Sequence, residues 1–199
     1  MDTTISNALL AVLQGPAAPS RARLEPPAPS EYHEYYARYI SLTPPGDLSA
    51  VLRRQAEEVV RTFGGLTAEQ GRFAYAPGKW SVAEVLGHLA DAERIFTFRA
   101  THVARGDANP LPGMEQDEWM RGAGFEGRAI ADLLREWLAV RAGTIAVAEG
   151  LPADAPARTG TASGRTFSAR ALLYISPGHT EYHLAIHRER YLGATEWPR

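Results

Sequence analysis

Cysteine is absent from the 199 residues, which removes disulfides, zinc–thiolate sites, iron–sulfur ligation and thiol nucleophiles together. Any metal must then be held by His, Asp or Glu. Excess positive charge is lacking too. The 21 Lys and Arg stand against 23 Asp and Glu, a formal net charge of −2, with no Lys/Arg-rich run. The electrostatic footprint of a phosphate-backbone binder is therefore missing, and nucleic acid is not an expected partner. Long apolar runs are scarce: the longest near the N-terminus, Ala8 to Leu13, falls far short of the ~20 residues that span a bilayer. Asp2 precedes it where a secretory signal would carry basic residues. These absences lead us to expect a cytoplasmic protein with no membrane partner. What remains, 45% hydrophobic and 22% charged, is the composition of one ordinary globular domain.

Proline is unevenly spread. Pro16, Pro19, Pro26, Pro27 and Pro29 crowd one stretch, where the backbone cannot supply the hydrogen bonds of a helix or ladder. Residues 1–30 are accordingly read as an extended N-terminal arm ahead of a domain over 31–199. Within the arm, Ile5 to Leu13 has the length of a short docking helix or of a loosely held terminus.

Beyond an aromatic stretch, Tyr32 to Tyr39, the apolar spacing becomes helical. Leu48, Val51, Leu52, Val59, Val60 and Phe63 return to one face, with Asp47 as N-cap and Gly64-Gly65 as the stop, which predicts a helix over about 47–63. Ser81-Val82-Ala83-Glu84 has the form of a capping box and opens a second helix that runs to about Arg105. A polar, glycine-bearing connection from Gly106 to Gly127 is long enough to cross the end of a bundle. A third helix carries Ile130, Leu133, Leu134, Trp137, Leu138 and Ile145 and ends near Gly150. After a loop at 157–166, weakly marked as a hairpin, an apolar segment from Phe167 to about Leu192 forms the fourth. Four long helices without alternating strands predict an all-α four-helix bundle.

Three of the six histidines, His179, His183 and His187, fall on that last segment, the others being His33, His88 and His102. On a helical wheel Leu172, Ile175, His179, His183 and Ile186 share a narrow stripe, so two imidazoles occupy the face that should enter the core. Their i, i+4 spacing is also that of metal-binding helical histidines. His179 and His187 are about 12 Å apart in rise, too far for one ion. His187 lies about 60° off the stripe, which marks it as a flanking or surface residue. A third ligand has to come from another element, and His88, at the border of the second helix's stripe, is best placed. His102, roughly 21 Å further along that helix, cannot share a site with it. Asp91 follows His88 by three residues and could orient an imidazole through its second nitrogen, or be a solvated surface charge. Glu93, inside the stripe of Val82, Leu86, Leu89 and Phe96, reads as a structural ion pair with an arginine of a neighbouring helix. Spacing by itself leaves open whether the histidines of the last helix bind metal or are satisfied by backbone and carboxylate partners.

The stretches Gly78-Lys79-Trp80-Ser81, Glu84 to Arg94, Arg105-Gly106-Asp107, Pro110-Leu111-Pro112-Gly113, Gly178-His179 with His183, and Glu189-Arg190-Tyr191-Leu192 occur in the order and spacing of a known family. Over Glu31 to Leu192 the chain resembles the DinB/YfiT-like metalloenzymes. The resemblance implies a bundle with up-down-down-up topology and a divalent metal held by one histidine of the second helix and two, four apart, of the last. On this chain those are His88, His179 and His183. Pro177 departs from the pattern, so the last helix is expected to kink or restart there, with Ser176 as N-cap and Pro177 at N1. Tyr182 and His187 stand where such sequences often carry a histidine and an aliphatic residue.

Three neutral imidazoles would leave an ion its full charge and an open position, the arrangement of a catalytic site. Imidazole suits Zn²⁺, Ni²⁺ and similar first-row divalent ions. Such an ion acidifies bound water or binds a thiol as thiolate. The resemblance extends to S-transferases that use low-molecular-weight thiols such as bacillithiol or mycothiol, and to a thiol-dependent isomerase. The expected function is therefore a metal-dependent transferase or hydrolase acting on a small molecule, against the alternative of a non-enzymatic stress-response or ligand-binding bundle with a structural metal. A homodimer is expected as well, because Ala8 to Leu13 and Tyr32, Tyr35, Tyr36 and Tyr39 lie outside the helical periodicity and need cover.

Overall fold

A computed structural model describes Leu13 and residues 24–198. Most of the arm, including nearly all of the expected helix at Ile5 to Leu13, lies outside the described residues. Its described end is extended and docked: Leu24 and Pro27 are buried, and the Tyr174 hydroxyl donates to the Leu24 carbonyl at 2.8 Å.

Seven α-helices are present among the described residues. In chain order they are α1 (Ala37–Leu42), α2 (Leu48–Phe63), α3 (Ala68–Arg72), α4 (Val82–Ala104), α5 (Gln116–Ala123), α6 (Ile130–Gly150) and α7 (Ala169–Ile186), the last continuing as a π-helical turn, His187–Tyr191. The long helices begin where the sequence provides partners for orphan amides. Asp47 accepts from the Ala50 amide at 3.0 Å. Ser81 and Glu84 close a reciprocal box, with 3.3 Å from the Glu84 amide to Ser81 Oγ and 2.7 Å from the Ser81 amide to Glu84 Oε2. A hairpin of β1 (Thr159–Ala162) and β2 (Arg165–Ser168) precedes α7. Its Ser163-Gly164 turn has φ +52° and +68°, the left-handed pair that a two-residue hairpin demands.

Side-chain pairings give the direction of each long helix. Between α4 and α6, Arg94 meets Glu136 at 2.6 Å and Thr97 meets Thr144 at 2.8 Å, numbers rising together, so these two run parallel. The Tyr191 hydroxyl reaches the Trp80 carbonyl at 2.6 Å and Arg158 the Ala104 carbonyl at 2.6 Å, so α7 opposes α4. Arg53 meets Glu149 at 2.8 Å while Gly64 lies beside Leu134, so α2 opposes α6. The bundle is therefore up-down-down-up, and the long connection between α4 and α6 is what two consecutive parallel helices require. That connection is not merely polar loop: it holds α5 and a 3₁₀ turn, Phe125–Gly127, and it covers one flank of α4.

All four long helices are tied at one buried point. Arg141 of α6, fully buried, donates to both carboxylate oxygens of Glu93 on α4, at 2.5 and 2.8 Å. It also donates to the Leu52 carbonyl at 3.2 Å and to Gln55 Oε1 at 2.8 Å on α2, and to Thr180 Oγ1 at 3.3 Å on α7. The guanidinium stacks 4.5 Å above the Trp137 ring. This is the inter-helix ion pair that Glu93's place in an apolar stripe foretells.

One expectation needs correction here. The last helix neither restarts at Pro177 nor uses Ser176 as N-cap. It starts at Ser168, whose hydroxyl accepts from the Ala171 amide at 3.0 Å, and runs through Pro177 without a break. An interior proline costs roughly 3 kcal/mol or more, by leaving the carbonyl four residues before it without its amide donor; this turn of the helix is held by tertiary bonds, the Thr43 hydroxyl donating to the Tyr174 carbonyl at 2.8 Å and Gln55 Nε2 to the Pro177 carbonyl at 2.9 Å. The tyrosines that lie outside the helical periodicity differ in their cover. Tyr39 is buried and Tyr36 packs edge-on to Phe96 and Phe167, whereas Tyr35 stays exposed.

Candidate metal centre

His88 lies in the second turn of α4, aimed by the capped start at Ser81, and His179 and His183 lie one turn apart on α7. The antiparallel packing of α4 and α7 brings the three together. One ring nitrogen from each falls within 4.8 Å of the others, and the Nε2 atoms of His88 and His179 are 3.2 Å apart. Two nitrogens on a tetrahedral ion with bonds of 2.0–2.1 Å are separated by about 3.3 Å, so the spacing of this pair fits one ion. Among the described residues no other group of three His, Asp or Glu side chains converges in this way.

Burial sets the protonation states. His88 and His179 are buried and His183 half-buried. Desolvation pushes the His88 imidazole down to about 4 and the His183 imidazole down to about 3. It holds His179 well below the ordinary value, helped by the neighbouring histidines and by the positive Arg38. All three are neutral near pH 7 and present lone pairs, the form a divalent metal needs.

Two cavities meet at the histidines. One, of about 110 Å³, is lined by His88 and His179 together with Tyr36, Tyr39, Phe96 and Arg99. The other, of about 320 Å³, is lined by His183 with Tyr75, Lys79, Trp80 and Asp117. Gln116, the first residue of α5, borders both, so the crossing segment forms a shared wall. Room for α5 and its 3₁₀ turn beside His88 depends on Gly87: a Cβ there would come within 2.4 Å of the Phe125 ring.

The structure redistributes the remaining candidates. Asp91, expected to orient an imidazole, gives its carboxylate to Arg94 at 2.9 Å and makes no hydrogen bond to a histidine among the described residues. Burial still pushes its acid upward. His187 is not a surface residue: it is 1% exposed, stacks on Tyr191 and lies against Phe63 and Trp197. It remains outside the cluster, and burial pushes it down to about 4. His102 bonds the Asn109 carbonyl at 2.9 Å near the far end of α4, and His33 caps the 3₁₀ turn Glu34–Tyr36.

Several residues around the site had not been singled out from the sequence. Arg38 donates to the hydroxyls of Tyr35 at 2.8 Å and Tyr39 at 2.7 Å and lies over the Tyr182 ring. The Tyr39 ring abuts His179, with centroids 5.2 Å apart, and burial raises its phenol to about 12. Trp80 packs on His88 at 4.8 Å. Arg99 is 5% exposed. The aromatic run at 32–39 was the available signal for the first group, and an arginine eleven residues beyond His88, hence about 20° away on the wheel, was the signal for Arg99.

Comparison with known proteins agrees with this architecture. No curated protein matches the chain. A solved structure that matches is that of YfiT from Bacillus subtilis, described as a probable metal-dependent hydrolase with an unusual four-helix bundle topology; it is 16% identical, with a TM-score of 0.63 over 85% of this chain and 94% of that one. The family model of the DinB superfamily matches residues 51–186, which contain His88, His179 and His183. The chain belongs to the DinB superfamily.

Proposed function

We propose that the protein is a metal-dependent enzyme that transfers a group between two small molecules, with His88, His179 and His183 holding a divalent first-row ion. The observation that carries this reading is the junction of two cavities at three neutral imidazoles, His88 and His179 facing one cavity and His183 the other. A metal enclosed for structure alone would have protein on every side. Bound there, the ion supplies a Lewis acid with an open position, able to lower the pKa of a water or thiol ligand.

The chain's own groups do the rest. Arg38 donates to Tyr39 Oη, which leaves the phenol proton available to a developing negative charge on a ligand beside His179. Because burial raises that phenol, it remains a donor through neutral pH. Trp80, packed on His88, shields one imidazole from water. The larger cavity, bordered by Lys79 and Asp117 with Tyr75 and Trp80, offers contacts of both charges to a co-substrate such as a low-molecular-weight thiol. Hydrolysis is the second reading, supported by the description of YfiT; it needs only the smaller cavity and water.

Metal analysis of the purified protein, followed by incubation of a panel of electrophiles with and without thiols, tests the proposal. Thiol-dependent turnover that a chelator removes and zinc or nickel restores is expected. Chelator-sensitive turnover that proceeds equally without thiol would establish the hydrolytic reading instead, and purified protein that takes up no divalent ion overturns both.

A further inference from the structure

The two well-buried arginines of the bundle differ in their partners. Arg141 is neutralised by Glu93. Arg99, 5% exposed, meets only neutral acceptors: the Pro112 carbonyl at 2.7 Å, Ser163 Oγ at 3.0 Å and the Tyr36 hydroxyl. No carboxylate of the described residues pairs with it. A buried cation without a counter-charge is costly, and burial accordingly lowers its pKa.

Arg99 also lines the smaller cavity, at the end away from the imidazoles. His88, Ala92, Ile95 and Arg99 lie within about 60° on the wheel of α4 and all four border that cavity. Eleven residues correspond to about 16 Å of rise, so Arg99 stands three turns from His88 along one face of α4. One side of the wall is apolar, with Ala92, Ile95 and the Tyr36 and Phe96 rings, which meet edge to face at 6.4 Å, while Gln116 and tyrosine hydroxyls make the rest of it polar. Ser163 adds a further sign of construction. The first position of this hairpin turn suits Asn or Gly, yet it carries a serine at φ +52° whose hydroxyl accepts from Arg99 and borders the cavity.

We infer that Arg99 binds the carboxylate of a substrate whose short apolar body lies along Ala92 and Ile95 and whose reactive end reaches the histidines. This rests on the metal-site reading for what happens at the far end, but not for the recognition itself. A carboxylate suits the guanidinium's planar fork and matches its single charge.

Benzoate and its neutral analogue benzamide, titrated into zinc-loaded protein and followed by NMR, provide the test. Wild type should bind benzoate at least tenfold more tightly than benzamide. Arg99→Gln should erase that preference and Arg99→Lys, which keeps the charge without the fork, should weaken it severalfold, so a folding failure of the first still leaves the second. His183→Ala should retain the preference although it no longer holds zinc. A preference that survives in both Arg99 variants, or that vanishes in His183→Ala and so places the anion on the metal, overturns the inference. So does wild type that binds neither probe or both equally. If wild type takes up no zinc while the benzoate preference stands, the functional reading fails and the Arg99 subsite remains.

Discussion

Arg141→Met should destabilise the bundle by about 3–5 kcal/mol, and the reason is Glu93 rather than Arg141 itself. Glu93 is 2% exposed, and its two oxygens receive charged hydrogen bonds at 2.5 and 2.8 Å. Removing the guanidinium leaves a carboxylate in the core with no counter-charge, and breaking a buried pair in this way costs about that much. Replacing both partners removes the stranded charge. The double variant Arg141→Met, Glu93→Leu should therefore recover most of the loss, falling short of wild type by roughly 1–2 kcal/mol. That shortfall comes from the bonds to Gln55 Oε1, the Leu52 carbonyl and Thr180 Oγ1 that the guanidinium also made, offset in part by the apolar side chains that take the place of the pair. Urea unfolding followed by circular dichroism measures this directly. With a slope near 2 kcal/mol/M, the single variant should shift the midpoint by on the order of 2 M. A single variant within about 1 kcal/mol of wild type, or a double variant no better than the single, would refute the account of Arg141–Glu93 as a charge pair knotted between four helices.

His183→Ala should abolish stoichiometric metal binding while His187→Ala retains it; the second variant should instead lose stability, because its imidazole fills space between Phe63, Tyr191 and Trp197, and equal metal occupancy in His183→Ala and wild type would end the site assignment. Gly178→Ala would ordinarily gain about 1 kcal/mol in helix propensity, but its Cβ would stand 1.7 Å from the Tyr39 carbonyl oxygen, so a fall in melting temperature is expected and a rise would contradict the close packing of α1 on α7. Metal-free protein should lose stability as pH falls from about 6.5 toward 4: His88 and His187 titrate at about 4 and His183 at about 3 when folded, whereas in the unfolded chain they take up protons near 6.5. The unfolded state binds more protons throughout that interval, worth up to about 1.4 kcal/mol per pH unit for each histidine; an unfolding midpoint unchanged between pH 7 and pH 5 would exclude it.

What could be read in advance is what short-range chemistry determines. Asp47 and the Ser81/Glu84 box satisfy amides within one turn, so the starts of α2 and α4 were visible without any knowledge of the rest of the chain. The pairing of His179 with His183 is equally local, and the stripe that holds them is a property of one helix. His88 could be favoured by its place at the border of the second helix's stripe, and the resemblance pointed to the same residue. Two of the misreadings concern contacts made with residues well apart in sequence, and the third a local competition for one carboxylate. Pro177 looks like a helix break until Thr43, just after α1, and Gln55 of α2 tie this turn into the bundle. His187, about 60° off the stripe, looks exposed until Trp197 folds back over it. Asp91 is spaced to serve His88, but Arg94, one turn on and cationic, takes its carboxylate first.

The same division runs through the site. Its imidazoles and Arg99 belong to regular helices that Arg141 ties together, whereas several other groups that would meet a ligand come from irregular or short elements: Tyr36 and Tyr39 from the chain around α1, Gln116 from the crossing segment, Ser163 from a hairpin turn. Short elements are ordinarily poor places to hold a donor within a few tenths of an ångström. Here they are pinned. The Tyr39 carbonyl lies so close to Gly178 that no side chain fits between them, which fixes α1, and with it the Tyr39 phenol, one residue from His179. Ser163 is held by the guanidinium of Arg99, so the hairpin is referenced to α4, the helix that carries His88. The walls of the smaller cavity are thus registered to the two helices that carry its histidines, and a change of ligand chemistry can be made in side chains such as Tyr36 or Ser163 without disturbing the geometry that would hold the ion.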